Sequence, residues 1–369
     1  MGKSAVKGLF YICLIAATFV LATITIMAAF SGNVAPVDSV IMPLLGLAVP
    51  VLLIVNLITA LCWALARKRW ALVPLVAFFC NWGYLTSVFQ LHLPKDKTPA
   101  GKYLKIATYN IHNFGGEITG YSCKEIARYM QQEGVDVLCF QEFGDNSDFP
   151  TDSIRRVLSH WSHALIPSED SVKGVLPIAV FSRYPLANHR FITYQHSSNC
   201  SMMCDVVMGT DTIRLINNHL QTTSVSQKRR KWERELATDD TRREVQAAKD
   251  AAGTLHENFM KRATQTYVIS HYAKTSPYPV LLCGDFNSIP SSYTYHHLRK
   301  TLKDGFRTAG NGYMYTYRYA KRMLRIDYIF HSPSLKGIEY YSPDLDLCSD
   351  HNPVCLLYTS PSPRDLSTS

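Results

Sequence analysis

The pattern of hydrophobic and polar positions divides the chain in two. Up to about residue 92 the apolar positions run on with little interruption, from Gly8 to Phe30, Ser39 to Ala66 and Trp70 to Leu91. Each run meets or approaches the ~20 residues a helix needs to cross a bilayer, so three membrane-spanning helices are predicted over residues 1–92. Pro43, Pro50 and Pro74 are expected to kink the second and third spans rather than abolish them. Residues 93–101, with two prolines and three charges, read as a linker.

From Tyr103 onward, short apolar runs alternate with segments of helical period. Ser122 to Glu133, Thr151 to His160 and Gln227 to about His271 read as helices, the last in two pieces around Gly253. Five apolar runs end in polar residues: Lys105 to Asn110, Val135 to Gln141-Glu142, Ile213 to Asn217-Asn218-His219, Val280 to Gly284-Asp285-Phe286-Asn287, and Arg325 to Phe330 with Asp327 inside. A sixth element, Ser349-Asp350-His351-Asn352-Pro353-Val354, sets its polar group before the apolar stretch. Side chains alternate along a strand, so Asp285 and Asn287 are expected to point one way and Phe286 back into the core. Strands adjacent in sequence, with helices between, are compatible with two sheets face to face.

Together and in this order, these six segments resemble the endonuclease/exonuclease/phosphatase superfamily of metal-dependent phosphoesterases. The family pattern is an early Asn, then Gln-Glu, Asn-x-His, Gly-Asp-x-Asn, an Asp-Tyr and a closing Ser-Asp-His. The resemblance covers residues 102–354 and implies a four-layer α/β sandwich, two mixed β-sheets flanked by helices, preceded here by the three transmembrane helices. It implies hydrolysis of phosphate esters by an activated water with a divalent cation, Mg²⁺ with Mn²⁺ as a substitute. Carboxylate and amide oxygens suit such a hard ion.

Carried over residue by residue, the resemblance gives Glu142 the metal, with Asn110 in support and Asp350 a candidate ligand from across the cleft. Asp285 is expected to orient or deprotonate the water and Asn287 to hold a phosphate oxygen. Asp327 is expected to fix the ring of His351, and His219 to stabilise the transition state or protonate the leaving group. Asn217 and Arg183 are candidate substrate contacts, Arg183 reading first as a structural turn residue. His112 stands where repair-type abasic endonucleases carry an acidic residue, a departure that weighs against abasic-site repair.

Charge changes the picture in two ways. The net charge of +9 is split almost evenly, +5 on residues 1–100 and +4 on residues 101–354. A globular domain so weakly basic does not look like a duplex-coating protein. The cluster Lys228 to Lys231 reads as a solvated helix face, and the alternating Tyr313, Tyr315, Tyr317 and Tyr319 as one face of a strand or as base-stacking platforms. Lys3, Lys7 and Arg67-Lys68-Arg69 flank the spans on one side, which by the positive-inside rule places that side in the cytoplasm. The catalytic domain then lies outside it, periplasmic on the inner membrane of a Gram-negative cell.

Cys200 and Cys204 are close enough in sequence to bridge but could equally be free. Residues 355–369 resemble the translation of a sequencing-library adapter and are read as a non-native tail, although Cys355 to Tyr358 is apolar enough to finish a strand. The substrate is a phosphodiester, carried either by nucleic acid (a nuclease-like enzyme) or by a phospholipid or sphingolipid headgroup; phosphatase action is a third reading, and the bilayer is the other partner. A membrane-tethered binding module without catalysis would be expected to lack one of the acids above, and none is missing. A transporter is disfavoured because the spans hold no Asp, Glu, Lys, Arg or His.

Overall fold

The computed structural model describes residues 3–92, 103–168, 174–223 and 241–359. The expected linker, the Lys228 to Lys231 cluster and residues 360–369 lie outside them. Three apolar segments open the chain. Helices α1 (Lys3–Ala29) and α2 (Ile41–Leu65) are each long and apolar enough to cross a membrane. The third segment is broken into α3 (Leu72–Cys80) and α4 (Trp82–Val88), bent by 63°. The break falls at Asn81 and not at Pro74. The Asn81 amide donates to the Thr25 carbonyl of α1 and to the Ala77 carbonyl of its own helix. An inter-helix contact therefore takes over the role expected of a proline.

Two six-stranded mixed sheets follow. The chain passes through β1 (Phe89–Gln90), β2 (Tyr103–Asn110), helix α5 (Tyr121–Gln132), β3 (Val137–Gln141), helix α6 (Thr151–Val157), β4 (His163–Leu165) and β5 (Ile178–Ser182). It continues with β6 (Leu186–Thr193), β7 (Cys200–Met208), β8 (Asp211–His219), helix α7 (Thr241–Lys274), β9 (Val280–Asp285) and helix α8 (Tyr293–Leu298). The remainder is β10 (Lys303–Asp304), helix α9 (Gly305–Ala309), β11 (Gly312–Tyr313), β12 (Asp327–His331), β13 (Lys336–Tyr341) and β14 (Val354–Thr359). One sheet has the order β10-β12-β9-β8-β7-β6 and the other β13-β14-β2-β3-β5-β4. Their facing sides bury a common core that includes Ile106, Val180, Leu215, Cys283 and Leu356. Helices α5 and α6 cover the outside of one sheet, and α7 and α8 the outside of the other. This is the expected four-layer sandwich. Helix α7 runs unbroken through Gly253.

Two further features depart from the sequence pattern or settle what it leaves open. Cys200 and Cys204 are free. They stand four residues apart in one strand, a separation of about 13 Å that no disulfide spans. The last strand also reaches past the expected boundary at Val354. Strand β14 continues to Thr359, pairs with both β2 and β13, and buries Cys355, Leu356 and Tyr358. Residues 355–359 thus close a sheet, because their apolar run meets an open strand edge on each side.

The N-terminal helices are docked onto the sandwich rather than joined to it by a single connection. Ser31 donates to the Ser291 carbonyl and Ser291 to the Gly46 carbonyl. Strand β1 pairs antiparallel with β11, Phe89 opposite Tyr313. Fully buried Arg325 reaches the Ser87 carbonyl at 2.8 Å. Gly32 lies so close to His296 that a Cβ there would come within 2.4 Å of the ring.

Candidate active site

Parallel pairing brings the polar strand ends together. Strands β2 and β3 run parallel with Asn110 opposite Gln141, and β8 and β9 run parallel with His219 opposite Asp285. Antiparallel β12 sets Asp327 opposite Asp285. His351 precedes β14 in the other sheet. One end of the sandwich therefore collects residues from all six segments.

Asp285 is the hub. Its Oδ2 lies 3.1 Å from Asn110 Nδ2, 3.7 Å from His219 Nε2 and 3.7 Å from His351 Nε2. Its Oδ1 accepts the Asn287 N–H at 2.8 Å. His351 Nδ1 is 2.9 Å from Asp327 Oδ2, which fixes the ring and leaves Nε2 facing Asp285. Glu142 closes the other side, its Oε1 3.2 Å from Asn110 Nδ2 and 3.8 Å from His219 Nε2. Asp350 stands at the mouth, 3.9 Å from His351 Nε2 and with 31% of its side chain exposed.

The backbone is bent to aim these groups. Glu142 and Asn287 are left-handed, with φ of 49° and 47°, one and two residues past the ends of β3 and β9. Such conformations are uncommon outside glycine and cluster at functional sites. Gly284 is the glycine this arrangement requires. Its φ is +130°, and a Cβ there would sit 1.9 Å from the Asn218 carbonyl oxygen. Phe286 turns into the core against Tyr328 and Phe330, as alternation predicts.

Burial and mutual charge separate the protonation states. Burial pushes the Asp285 carboxyl up and neighbouring Asp327 adds to this; His351 and His219 offset only part, leaving it at about 6. Burial alone would lower His351, but Asp327 and Asp285 outweigh it and raise the imidazole to about 10. His219 goes the other way, burial holding it below the ordinary histidine value despite Asp285 and Glu142. Burial would raise Glu142, but His219, the Asn110 amide and His112 bring it below the usual carboxylate range.

Residues 107–351 match the Endonuclease/Exonuclease/phosphatase family, from within β2 to the closing histidine. The chain belongs to that family. Residues 9–88 match a family described as a domain of unknown function (DUF8431). Among solved structures, an endonuclease/exonuclease/phosphatase from Beutenbergia cavernae aligns with a TM-score of 0.50 at 16% identity, covering 70% of this chain and 72% of its own. One from Bacteroides vulgatus gives 0.50 at 15% identity, covering 70% of this chain and 100% of its own. At these identities the likeness is one of fold. No curated protein matches the chain in sequence.

Within this family site, two expected residues stand elsewhere. Asn217 is fully buried between the sheets, its amide donating to the Phe140 and Ala179 carbonyls and its oxygen accepting from Gln141. It ties one sheet to the other beneath the cluster. Arg183 follows β5, whose end lies beside the start of β3, and pairs with Asp136 there. That places it at the opposite end of the sheet from Glu142. Asn110 is in the cluster but presents its amide N–H groups to two carboxylates, bracketing them. Two further residues stand at the cluster: His112, 3.2 Å from Glu142 Oε2, and Tyr317 of the alternating tyrosines, whose ring centre lies 5.2 Å from that of His351.

The donor set fits a hard cation. Both ring nitrogens of His219 and Oδ1 of Asp327 are buried without a hydrogen-bond partner among the described residues, as expected where a further group completes the site. Ligand atoms of Asp285, Asp327 and His351 lie within 4.8 Å of one another and could hold an ion. Asp327 and His351 are already engaged with each other, however. Glu142, 19% exposed, is the carboxylate left open toward the mouth.

Proposed function

We propose that this protein is a membrane-anchored, Mg²⁺-dependent hydrolase of phosphate esters. The observation that carries the reading is the convergence of Asn110, His219 and His351 on one buried carboxylate oxygen of Asp285. Glu142 would hold the cation, with Asp350 the nearest further carboxylate, and Mn²⁺ is expected to substitute. When bound, the cation supplies charge to polarise a phosphoryl oxygen.

The remaining work falls to the chain's own side chains. Asp285, raised toward neutrality yet ionised at neutral pH, takes a proton from the attacking water. His351, kept charged by Asp327, braces a phosphoryl oxygen through Nε2. His219 is neutral, and its Nε2 faces the same space, where it can donate to the developing negative charge or to the leaving oxygen. Asn287 Nδ2 donates to the Leu220 carbonyl at 3.0 Å, which fixes the amide that would contact a phosphate oxygen. The N-terminal helices anchor the domain. The loop between α1 and α2 touches the sandwich, whereas Lys3, Lys7 and Arg67 to Arg69 lie at the other ends of the helices. The positive-inside rule then supports an extracytoplasmic catalytic domain, periplasmic on the inner membrane of a Gram-negative cell.

The test is hydrolysis of nitrophenyl phosphate mono- and diesters by the full chain in detergent, with Mg²⁺ and with chelator. Turnover that chelator stops and Mg²⁺ or Mn²⁺ restores is expected, and Glu142→Gln should demand far more Mg²⁺. A folded protein inactive with every divalent cation would mark a non-catalytic module.

The pH profile offers a second check. Activity needs Asp285 ionised and His351 protonated. It is expected to fall as pH drops through about 6 and again as pH rises through about 10, with a plateau between. Bound cation favours the ionised acid, so the lower midpoint should move further down as Mg²⁺ is raised. A profile with no acid limb near or below that value would remove Asp285 from the role of base.

A further inference from the structure

The hairpin of residues 314–326 links the apolar helices to the catalytic cluster. Its base is bonded to the end of α4: the Met314 N–H donates to the Val88 carbonyl and Arg325 to the Ser87 carbonyl, each at 2.8 Å. Its outer limb is bonded to the catalytic segment. The Asn352 N–H donates to the Thr316 carbonyl at 2.7 Å, and the Arg318 N–H to the Asp350 carbonyl at 2.8 Å. Met314 and Tyr317 are three residues apart, about 10 Å of extended chain. His351, whose ring centre lies 5.2 Å from that of Tyr317, is therefore joined to the end of α4 by one hydrogen bond, this stretch of chain and one ring contact, a path of at most roughly 20 Å.

That distance matters because the headgroup layer extends only ~6 Å beyond the hydrocarbon on each side of a bilayer. Trp82, Phe89 and Leu91 are exposed apolar residues that carry the lipid-compatible surface to the very end of the segment. The cluster then lies no more than about 15 Å above the headgroup layer. Between the anchor's exit and the mouth at Asp350, the hairpin exposes Tyr319, Lys321 and Arg322, the last paired with Asp344 at 3.4 Å, with Tyr313 beside it bonded to the Arg322 carbonyl and Asp346 paired with Arg318 on the same face. Tyrosines mixed with cations are the composition of a surface that rests on phospholipid headgroups. A nucleic-acid strand at the same mouth would lie within about two Debye lengths of an anionic bilayer, on a domain with little positive charge to compensate.

We propose that the substrate is a phosphate ester carried by a membrane lipid, drawn from the adjacent leaflet over the edge formed by Tyr319, Lys321 and Arg322. This rests on the phosphoesterase and anchor readings above. The test uses full-length protein reconstituted with Mg²⁺ in phosphatidylcholine vesicles containing phosphatidylglycerol, sphingomyelin or phosphatidic acid. Release of headgroup or phosphate is compared with turnover of the deacylated, water-soluble counterparts, single-stranded DNA and soluble nitrophenyl esters. At least one lipid should exceed its soluble counterpart by roughly tenfold or more in kcat/KM. Lys321→Glu combined with Arg322→Glu should lower turnover in anionic vesicles by roughly tenfold and leave the nitrophenyl esters unaffected. DNA preferred over every lipid, lipid and soluble counterpart cleaved alike, or a charge reversal that slows both substrates equally would overturn the proposal. Nitrophenyl turnover without any lipid turnover overturns this inference alone, whereas silence on all substrates overturns the phosphoesterase reading with it.

Discussion

Asp285→Asn is expected to cut kcat/KM for a nitrophenyl phosphodiester by roughly a thousandfold, the scale of a lost general base. The substitution keeps shape and burial, and the amide oxygen can still accept the Asn287 N–H. It also removes a charge held close to Asp327, so the fold should not be weakened by charge imbalance. A second readout separates lost chemistry from lost structure. Asp285 is one of the three carboxylates, with Asp327 and Asp350, that hold His351 in its charged form, so any residual activity should lose its basic limb at a pH below the native value of about 10. Activity within tenfold of native, in a variant that still binds Mg²⁺, would mean that the water gives up its proton elsewhere.

Much of this site is legible in the sequence, because it is built from strand ends and strands alternate. The Asp285, Phe286 and Asn287 alternation needs only period two, and the parallel pairs that collect the acids follow from the order of the segments. Alternation does not report depth, however. Asn217 shares the face of His219, yet two residues further down the strand that face is covered by the second sheet, and its amide bonds there instead of reaching solvent. Nor does alternation report direction. Because β5 runs antiparallel to β3, the residue that follows it, Arg183, emerges at the wrong end. The bend at Asn81 is hidden because its cause is a carbonyl on another helix. The length of β14 is half legible, since Cys355 to Tyr358 is apolar enough to finish a strand. The character of residues 355–369 suggests a foreign tail, whereas the open edges of β2 and β13 are what decide that the strand runs on to Thr359.

The contact least visible in the sequence is the one predicted to matter most for stability. Arg325 is fully buried and forms a bidentate pair with Asp304, at 2.6 and 2.8 Å. Its guanidinium lies over the rings of Phe306, Tyr328 and Tyr340 and also donates to the Ser87 carbonyl at the end of α4. Burial would raise the Asp304 carboxyl, but Arg325 holds it below the usual range, so the aspartate stays charged in the core. Arg325→Met fills similar volume yet strands that charge, at a cost of about 3–5 kcal/mol. For a domain of this size that is roughly a 10 °C fall in Tm, measurable on the full chain in detergent. Adding Asp304→Asn should recover most of the loss, since the penalty lies in the unpaired charge rather than in the missing pair. A single variant within a degree or two of native, or a double variant no better than the single, would show that solvent already reaches Asp304. Arg325 stands two residues before Asp327, and the Asp327 N–H is held by Thr316 of the same hairpin. Loosening it should therefore disturb the Asp327–His351 pair, and the melting curve and the basic limb of the pH profile are expected to move together.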